Sequence, residues 1–235
     1  MTGCWARSLG FFALAVLVAG LCVPAAAGAD YAVKKFIVNA GDGRNPFSEN
    51  AYVLSDPATG DAVLIDPGAA DPRIAAYVAQ KKLVVRKILY THAHDDHIGG
   101  GRHFADLYKA KIAGPRGDAG LFSPTENRPE EWLDGDSMAV FGSLSVRVIS
   151  TPGHTPGCLS FSWPEKKALF VGDVIVTWPR VEAGWAGLTL DMKQNVQSVG
   201  KLSDFGNVDI VGCGHGEPIE QGGIEVLKKL REQKV

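Results

Sequence analysis

A cluster of three histidines, placed directly after an apolar run, constrains this chain more than any other feature. Residues 88–101 read ILYTHAHDDHIGGG, so a segment typical of a β-strand leads into imidazoles and carboxylates and then into glycines. Side chains at positions i and i+2 of an extended segment point the same way, and His92 and His94 can therefore reach one metal ion. A turn into a helix near Asp96 would direct Asp96 and His97 elsewhere, towards a second ion. The pattern predicts a metal site at the end of a strand.

The remaining candidate ligands follow three later apolar runs. His154 lies in TPGHTPG at 151–157, Asp173 ends FVGD at 170–173, and His215 lies in CGHG at 213–216. Each stands in a turn rich in Gly or Pro, and loops of this kind gather on one rim of a sheet. One metal ion needs at least three protein ligands and a pair needs more, so these positions would complete the set that the histidine cluster begins.

Apolar runs bounded by Gly, Pro, Asp or Ser recur after residue 31 and predict strands. They cover residues 32–38, 51–54, 62–65, 84–90, 107–113, 144–149, 159–163, 168–171 and 208–211. Helices are predicted at 72–81, where Asp71 supplies an N-cap, after Asp191, and at about 224–233. Strand-rich halves that each carry helices favour a single layered α/β domain over residues 30–235, in which two sheets pack face to face.

The first 29 residues have the order of an export signal. Arg7 is the sole charge before Asp30, an apolar run covers residues 9–23, and small residues fill 24–29. This order predicts a signal peptide at 1–29 and a periplasmic or secreted mature protein. The apolar run is shorter than the roughly 20 residues that a membrane span needs, which disfavours an uncleaved anchor.

The composition excludes several classes of partner. The chain is 46% apolar with a formal net charge of −2, so it can bury a core and carries no basic excess for nucleic acid or anionic lipid. We therefore expect no nucleic-acid partner and no membrane contact after signal cleavage. Cys158 and Cys213 remain in the mature chain, and an exported location would permit a disulfide between them.

The motif THxHxDHxGG at 91–100 resembles that of the metallo-β-lactamase superfamily of metallohydrolases, the group that contains glyoxalase II. The resemblance extends to LIDPG at 64–68 and to the segments around His154, Asp173 and His215, in the same order and at similar spacing. It implies the fold of that superfamily, a four-layer αββα sandwich.

The resemblance also implies a role for each matching residue. The first metal ion would be held by His92, His94 and His154, and the second by Asp96, His97 and His215, with Asp173 bridging the two ions. Asp96 and His97, behind the second ion, would also serve catalysis, and Asp66 would orient the metal loop through hydrogen bonds or cap the turn before Pro67. The cofactors expected are two divalent metal ions, zinc first, with iron or manganese open.

A metal-dependent hydrolase similar to hydroxyacylglutathione hydrolase is the activity expected. Two cations that share a water lower its pKa from 15.7 towards about 7, so a bridging hydroxide would attack a thioester, lactone, ester or amide of a small-molecule substrate. A glutathione thioester is disfavoured, because only twenty residues follow His215, whereas many glyoxalases bind glutathione through a longer C-terminal helical domain.

Three alternatives stay open. Persulfide dioxygenases use one iron ion, which His92, His154 and Asp173 would hold, and they share the TPGC found at 155–158. This chain lacks the GRTD stretch that such enzymes carry soon after the aspartate. A zinc β-lactamase with a cysteine ligand is disfavoured by Asp173. A non-catalytic accessory protein of an exported redox system is the third alternative.

Two irregular segments are expected to shape the substrate pocket. One is 114–136, and the other carries Trp178, Arg180 and Trp185. Arg180 could pair with a substrate carboxylate, or it could be a solvated arginine beside tryptophans that pack on the sheet edge.

Overall fold

The computed structural model of the chain describes Met1 and residues 32–39, 48–122 and 126–234. The predicted signal peptide at 1–29 lies outside these residues except for Met1. Within the described ranges, no helix has both the length and the apolar character that a membrane crossing requires.

The first sheet has six strands in sequential order. They are β1 (Ala32–Val38), β2 (Glu49–Ser55), β3 (Asp61–Ile65), β4 (Val84–Leu89), β5 (Lys111–Pro115) and β6 (Glu131–Leu133). Strands β1 to β3 pair antiparallel, whereas β3 to β6 pair parallel. The crossover from β3 to β4 contains α1 (Pro72–Gln80), and the crossover from β4 to β5 contains α3 (Gly101–Tyr108). The short helix α2 (Asp95–Ile98) precedes α3.

The second sheet has five strands in the order β11-β10-β9-β8-β7. They are β7 (Ser137–Phe141), β8 (Leu144–Ser150), β9 (Leu159–Trp163), β10 (Ala168–Gly172) and β11 (Ile210–Cys213). Strands β7 to β10 pair antiparallel. The pair β10–β11 is parallel, and its crossover contains α4 (Met192–Ser203). Helix α5 (Gly223–Leu230) follows β11.

The core has three clusters, and together they define four layers. Alternate residues of β3 face opposite sides: Leu64 packs with α1 and α3, while Val63 and Ile65 pack between the two sheets against the second sheet. The third cluster joins the outer face of the second sheet to α4 and α5, for example through Leu202 and Leu227. The expected αββα sandwich is therefore confirmed.

Helix starts follow the predicted caps. Asp71 accepts a hydrogen bond from the Arg73 backbone N–H at the start of α1, and Asp191 accepts one from Gln194 N–H at the start of α4. Both caps satisfy backbone donors that the first helical turn leaves without partners.

The predicted strand at 107–113 is wrong in its first half. Leu107 and Tyr108 form the last turn of α3, Lys109 follows with a left-handed φ of 54°, and the strand begins at Lys111. The strand was predicted to begin too early because Leu107 was counted as part of the apolar run, although it is exposed on the helix. Strands β6 and β7 were not predicted, since β6 has three half-buried residues and β7 is mostly exposed at the edge of its sheet.

Cys158 and Cys213 are buried and free. The structure therefore contains no disulfide between them. Burial raises the pKa of the Cys158 thiol to about 12, so this thiol is not activated as a nucleophile.

Candidate metal centre

The candidate ligands meet because their strands point in one direction. Strands β3 and β4 are parallel, β10 and β11 are parallel, and β8 runs with β10 because both are antiparallel to β9. The residues that follow these strands gather at one edge of the sandwich, where Asp66, His92, His154, Asp173 and His215 are all buried. His94, Asp96 and His97 join them from the turn into α2.

The first group consists of His92, His94, His154 and Asp173, whose nearest ligand atoms lie within 4.8 Å of one another. His94 Nδ1 is 3.0 Å from His92 Nε2 and 3.0 Å from His154 Nε2. Asp173 Oδ2 lies 3.5 Å from His154 Nε2. These atoms converge on one point, as the ligands of a metal ion do.

The second group consists of Asp96, His97 and His215. Asp96 Oδ2 lies 3.3 Å from His215 Nε2 and 4.0 Å from His97 Nε2. Asp173 also faces this group, since its Oδ1 is 3.4 Å from His97 Nε2 and its Oδ2 is 3.4 Å from His215 Nε2. The Asp173 carboxylate therefore lies between the two groups.

Hydrogen bonds to the outer Nδ1 atoms orient four of the imidazoles. The partners are Thr91 Oγ1 for His92 (3.0 Å), Asp66 Oδ2 for His97 (3.1 Å), Thr189 Oγ1 for His154 (3.2 Å) and the Ser48 carbonyl for His215 (2.7 Å). Each bond leaves the Nε2 atom directed at the centre. Partners of this kind fix the tautomer and the ring orientation of a metal-binding histidine.

Asp66 holds the turn after β4 through both carboxylate oxygens. Oδ1 accepts from the Thr91 backbone N–H at 2.7 Å, and Oδ2 accepts from the Thr91 hydroxyl at 2.6 Å. The residue has a φ of 45°, a conformation that L side chains rarely adopt, and these bonds offset its strain. Asp66 therefore fixes the turn that leads from β4 into the histidine cluster.

The histidines of the centre differ in the direction in which their surroundings shift the pKa. Burial lowers the pKa of His154 to about 4 and also lowers that of His92, where neighbouring imidazoles add to the effect. Burial acts in the same direction on His215, but the Asp173 carboxylate outweighs it and raises the pKa of His215 to about 9. Asp173 itself is buried, yet His97 and His215 hold its pKa well below the usual range.

The donor set fits divalent metal ions. His97 Nε2 and Asp173 Oδ1 are buried atoms without a hydrogen-bond partner, although both face the centre. Buried polar atoms normally have partners, and an ion at each group would satisfy them. Imidazole nitrogens with carboxylate oxygens are ligands that suit zinc, iron or manganese.

Three buried residues around the centre escaped the sequence analysis. Asp118 accepts from the Thr155 hydroxyl at 2.7 Å and from the Gly157 N–H at 2.6 Å, which secures the loop that carries His154. Thr189 contacts the same histidine. Glu49 lies with Oε1 3.8 Å from His97 Nδ1, and burial raises the pKa of its carboxyl.

A family model described as the metallo-beta-lactamase superfamily matches residues 44–215. The chain belongs to this superfamily. The centre built above occupies the matched region throughout, from Glu49 to His215.

Curated relatives within the superfamily carry the name hydroxyacylglutathione hydrolase. The one from Rhodopseudomonas palustris (strain BisA53) is 36% identical over 124 residues, which cover 53% of this chain and 47% of the relative. The one from Gloeobacter violaceus is 30% identical over 204 residues, covering 81% of this chain and 77% of the relative. The chain thus spans about half the length of the first of these two relatives.

A solved structure supports the same fold. The protein TTHA1623, crystallised in a di-iron-bound form, superimposes with a TM-score of 0.64 at 25% identity, covering 80% of this chain and 96% of that one.

The candidate metal centre opens into a cleft. Of the three pocket residues predicted from the sequence, Trp185 lines this cleft, whereas Trp178 and Arg180 do not. Trp185 lines the cleft and Trp178 packs against it edge-on, with ring centroids 6.3 Å apart. Arg180 does not line the cleft and forms an ion pair with Glu182, so the expectation that it pairs with a substrate carboxylate finds no support in its contacts. Asp95 is exposed at the rim of the cleft.

Proposed function

We propose that this protein is an exported hydrolase that binds two divalent metal ions, zinc first, and cleaves a thioester or related acyl bond of a small molecule. The observation that carries the proposal is the position of Asp173. Its two oxygens face both ligand groups, and one of them is buried without a partner.

Seven side chains would hold the ions, with the assignments that the sequence motif implied. The first ion would take His92, His94 and His154, the second Asp96, His97 and His215, and Asp173 would bridge them. When bound, a pair of divalent ions lowers the pKa of shared water, so that hydroxide is available near neutral pH.

The protein's own residues position this chemistry. Asp66, Thr91 and Thr189 hydrogen-bond the Nδ1 atoms of His97, His92 and His154, which would leave the Nε2 atoms of these rings free to hold the ions. Asp96 is half-buried at the mouth of the centre and lines the cleft, so its carboxylate faces the side from which a substrate would arrive. His97 is fully buried and lies behind it.

The named relatives support an acyl thioester as the scissile group, since they are called hydroxyacylglutathione hydrolases. Export is supported by the charge and hydropathy order of residues 1–29. Cell fractionation tests export directly: the protein should be recovered in the periplasm or medium, shortened by about 29 residues, and an intact chain in the cytoplasm contradicts it.

Metal content and activity test the reaction. We expect two ions per chain by elemental mass spectrometry and thioester hydrolysis that Asp173→Ala abolishes, with circular dichroism unchanged. The matched control is Asp134→Ala, which removes an exposed carboxylate of the same type. A single iron ion per chain, with oxygen uptake on a persulfide, would replace this proposal with the dioxygenase alternative.

A further inference from the structure

The cleft above the metal centre has one apolar wall. It has a volume of about 390 Å³, and the side chains around it other than the candidate ligands are Asp95, Trp185 and Leu188. Leu188 is 51% exposed although it is a large apolar residue. Apolar side chains that face a concave site with few polar groups are typical of a ligand-binding surface.

The wall is held in place by its own loop. Trp185 donates from its indole N–H to the Trp178 carbonyl at 2.9 Å, and its ring lies over His215 with a centroid separation of 4.9 Å. The Thr189 backbone N–H donates to the Trp185 carbonyl at 2.9 Å, and the Trp185 N–H donates to Thr189 Oγ1 at 3.0 Å. The indole and Leu188 therefore form a preorganised surface beside the ligands.

The same loop carries further exposed apolar side chains. Val181 is 45% exposed and Leu190 is 70% exposed, and both lie in the segment between β10 and α4. Trp178 is also exposed and packs edge-on against Trp185. Several large apolar side chains exposed on one loop indicate a surface that a ligand covers.

The charges beside this wall are acidic. Asp95 and Asp96 line the cleft, whereas Arg180, the arginine on the loop, is paired with Glu182. Of the residues that the structure describes, no lysine or arginine lines the cleft. The charge of Asp96 would be balanced by the ion that it holds, which leaves Asp95 as the uncompensated charge at the rim. A distal carboxylate of a substrate that lies beside Asp95 would meet like charge there, which costs free energy.

We propose that the substrate is an uncharged acyl compound whose apolar group packs on Trp185 and Leu188, and that the cleft discriminates against substrates with distal carboxylates such as glutathione conjugates. The statement that this compound is a substrate rests on the proposed hydrolase function. The binding preference of the cleft does not depend on that function. Leu188 is a specificity-determining residue, since it lines the cleft, is not a candidate ligand and, unlike the Trp185 indole, does not hold the loop through a side-chain hydrogen bond.

Two thioethers that cannot be hydrolysed test the preference by isothermal titration calorimetry of the full protein as purified. S-hexyl-N-acetylcysteamine is neutral, and S-hexylglutathione carries the same alkyl group with two carboxylates. We expect the neutral probe to bind at least about tenfold more tightly. Within an ethyl-to-hexyl series, each methylene should tighten binding about fourfold, from about 0.8 kcal/mol per buried CH₂.

Leu188→Lys should reverse the order of the two affinities, so that S-hexylglutathione binds more tightly than the neutral probe, because the substitution removes apolar surface and adds a cation at the same point. Leu188→Ala should weaken the neutral probe about fivefold without strengthening the anionic one. Val140→Lys is the matched control, because Val140 is 69% exposed on β7 and does not line the cleft. It should leave both affinities unchanged.

Binding of S-hexylglutathione as tight as that of the neutral probe overturns the inference, and so does an affinity that does not depend on alkyl length. Hydrolysis assays separate the two proposals. The expected probe preference without thioester hydrolysis contradicts the proposed function alone. Rapid hydrolysis of glutathione thioesters, with no gain from a longer neutral acyl chain, contradicts this inference and leaves the function standing.

Discussion

Replacing Asp118 with alanine should destabilise the protein and weaken metal binding, although Asp118 is not a candidate ligand. Its carboxylate is fully buried and accepts hydrogen bonds from the Thr155 hydroxyl and the Gly157 N–H. A third bond from the Ala93 backbone links the same carboxylate to the turn between His92 and His94. One side chain therefore joins the two loops that carry the first ligand group.

The loss in the free energy of unfolding follows from the hydrogen-bond donors that lose their partner when Asp118 is replaced. The Thr155 hydroxyl can turn to Cys158 Sγ, 2.9 Å away, so its loss is small. The Gly157 and Ala93 N–H groups have no such substitute, and each unpaired buried donor costs about 1–3 kcal/mol. Burial raises the pKa of Asp118, so removal of a desolvated carboxylate returns part of this cost. We expect a net loss of about 2–4 kcal/mol in the free energy of unfolding.

Urea denaturation of the metal-free protein measures this loss, and competition with a chelator measures metal affinity, which should fall about tenfold. Asp134→Ala is the matched control, because Asp134 lies on the same segment in an exposed ion pair with Arg116, 2.9 Å apart. A pair of this kind contributes about 0–1 kcal/mol. An Asp118→Ala variant no less stable than the control would refute the reasoning.

Three further substitutions or conditions test the centre. Gly214→Ala places a Cβ that overlaps Asp173 Oδ1 and lies 2.7 Å from His97 Cε1, so elemental mass spectrometry should show reduced metal content in a folded chain. Gly200→Ala in α4, where nothing lies within 4 Å of the added Cβ, should bind metal normally. Thr189→Val removes the partner of His154 Nδ1 and should weaken metal binding about tenfold, with Thr189→Ser restoring it. In the metal-free protein, His215 has its pKa raised from 6.5 to about 9, so its stabilising contribution is complete below pH 6.5 and is lost as the pH rises through 9. His154, with its pKa lowered to about 4, loses stabilisation as the pH falls from 6.5 to 4. Chemical denaturation across pH 4–9 should show a maximum near 6.5, and a flat profile would contradict the two shifts.

The candidate ligands were predictable because the patterns that identify them lie within short segments of the chain. The spacing of His92, His94 and His97 depends only on the strand period and on the turn that follows. His154, Asp173 and His215 each follow an apolar run, and strands that run in one direction place such residues at one edge of their sheets. Motif order along the chain was therefore enough to predict which side chains converge.

The residues that support the ligands were not predictable, since their partners are distant in sequence. Asp118 bonds Thr155 and Gly157, and Thr189 bonds His154. Asp and Thr are common in loops of any kind, so no local pattern distinguishes these two. Arg180 illustrates the converse case, because its position suggested a substrate contact but the fold places it against Glu182.

The sequence by itself indicated the superfamily through the resemblance of its motifs, and that resemblance implied the αββα layers and the seven candidate ligands. Hydrophobic period, turn residues and ligand spacing, which act over a few residues, indicated the strands and a metal site at their ends. Only the tertiary structure decided how the centre is supported and which side chains line its cleft. The Asp118 and Thr189 contacts, the placement of Trp185 over His215 and the acidic rim beside Leu188 each depend on packing between loops far apart in the chain. Such packing is fixed by the sum of many weak contacts in the folded state, and no short segment encodes it.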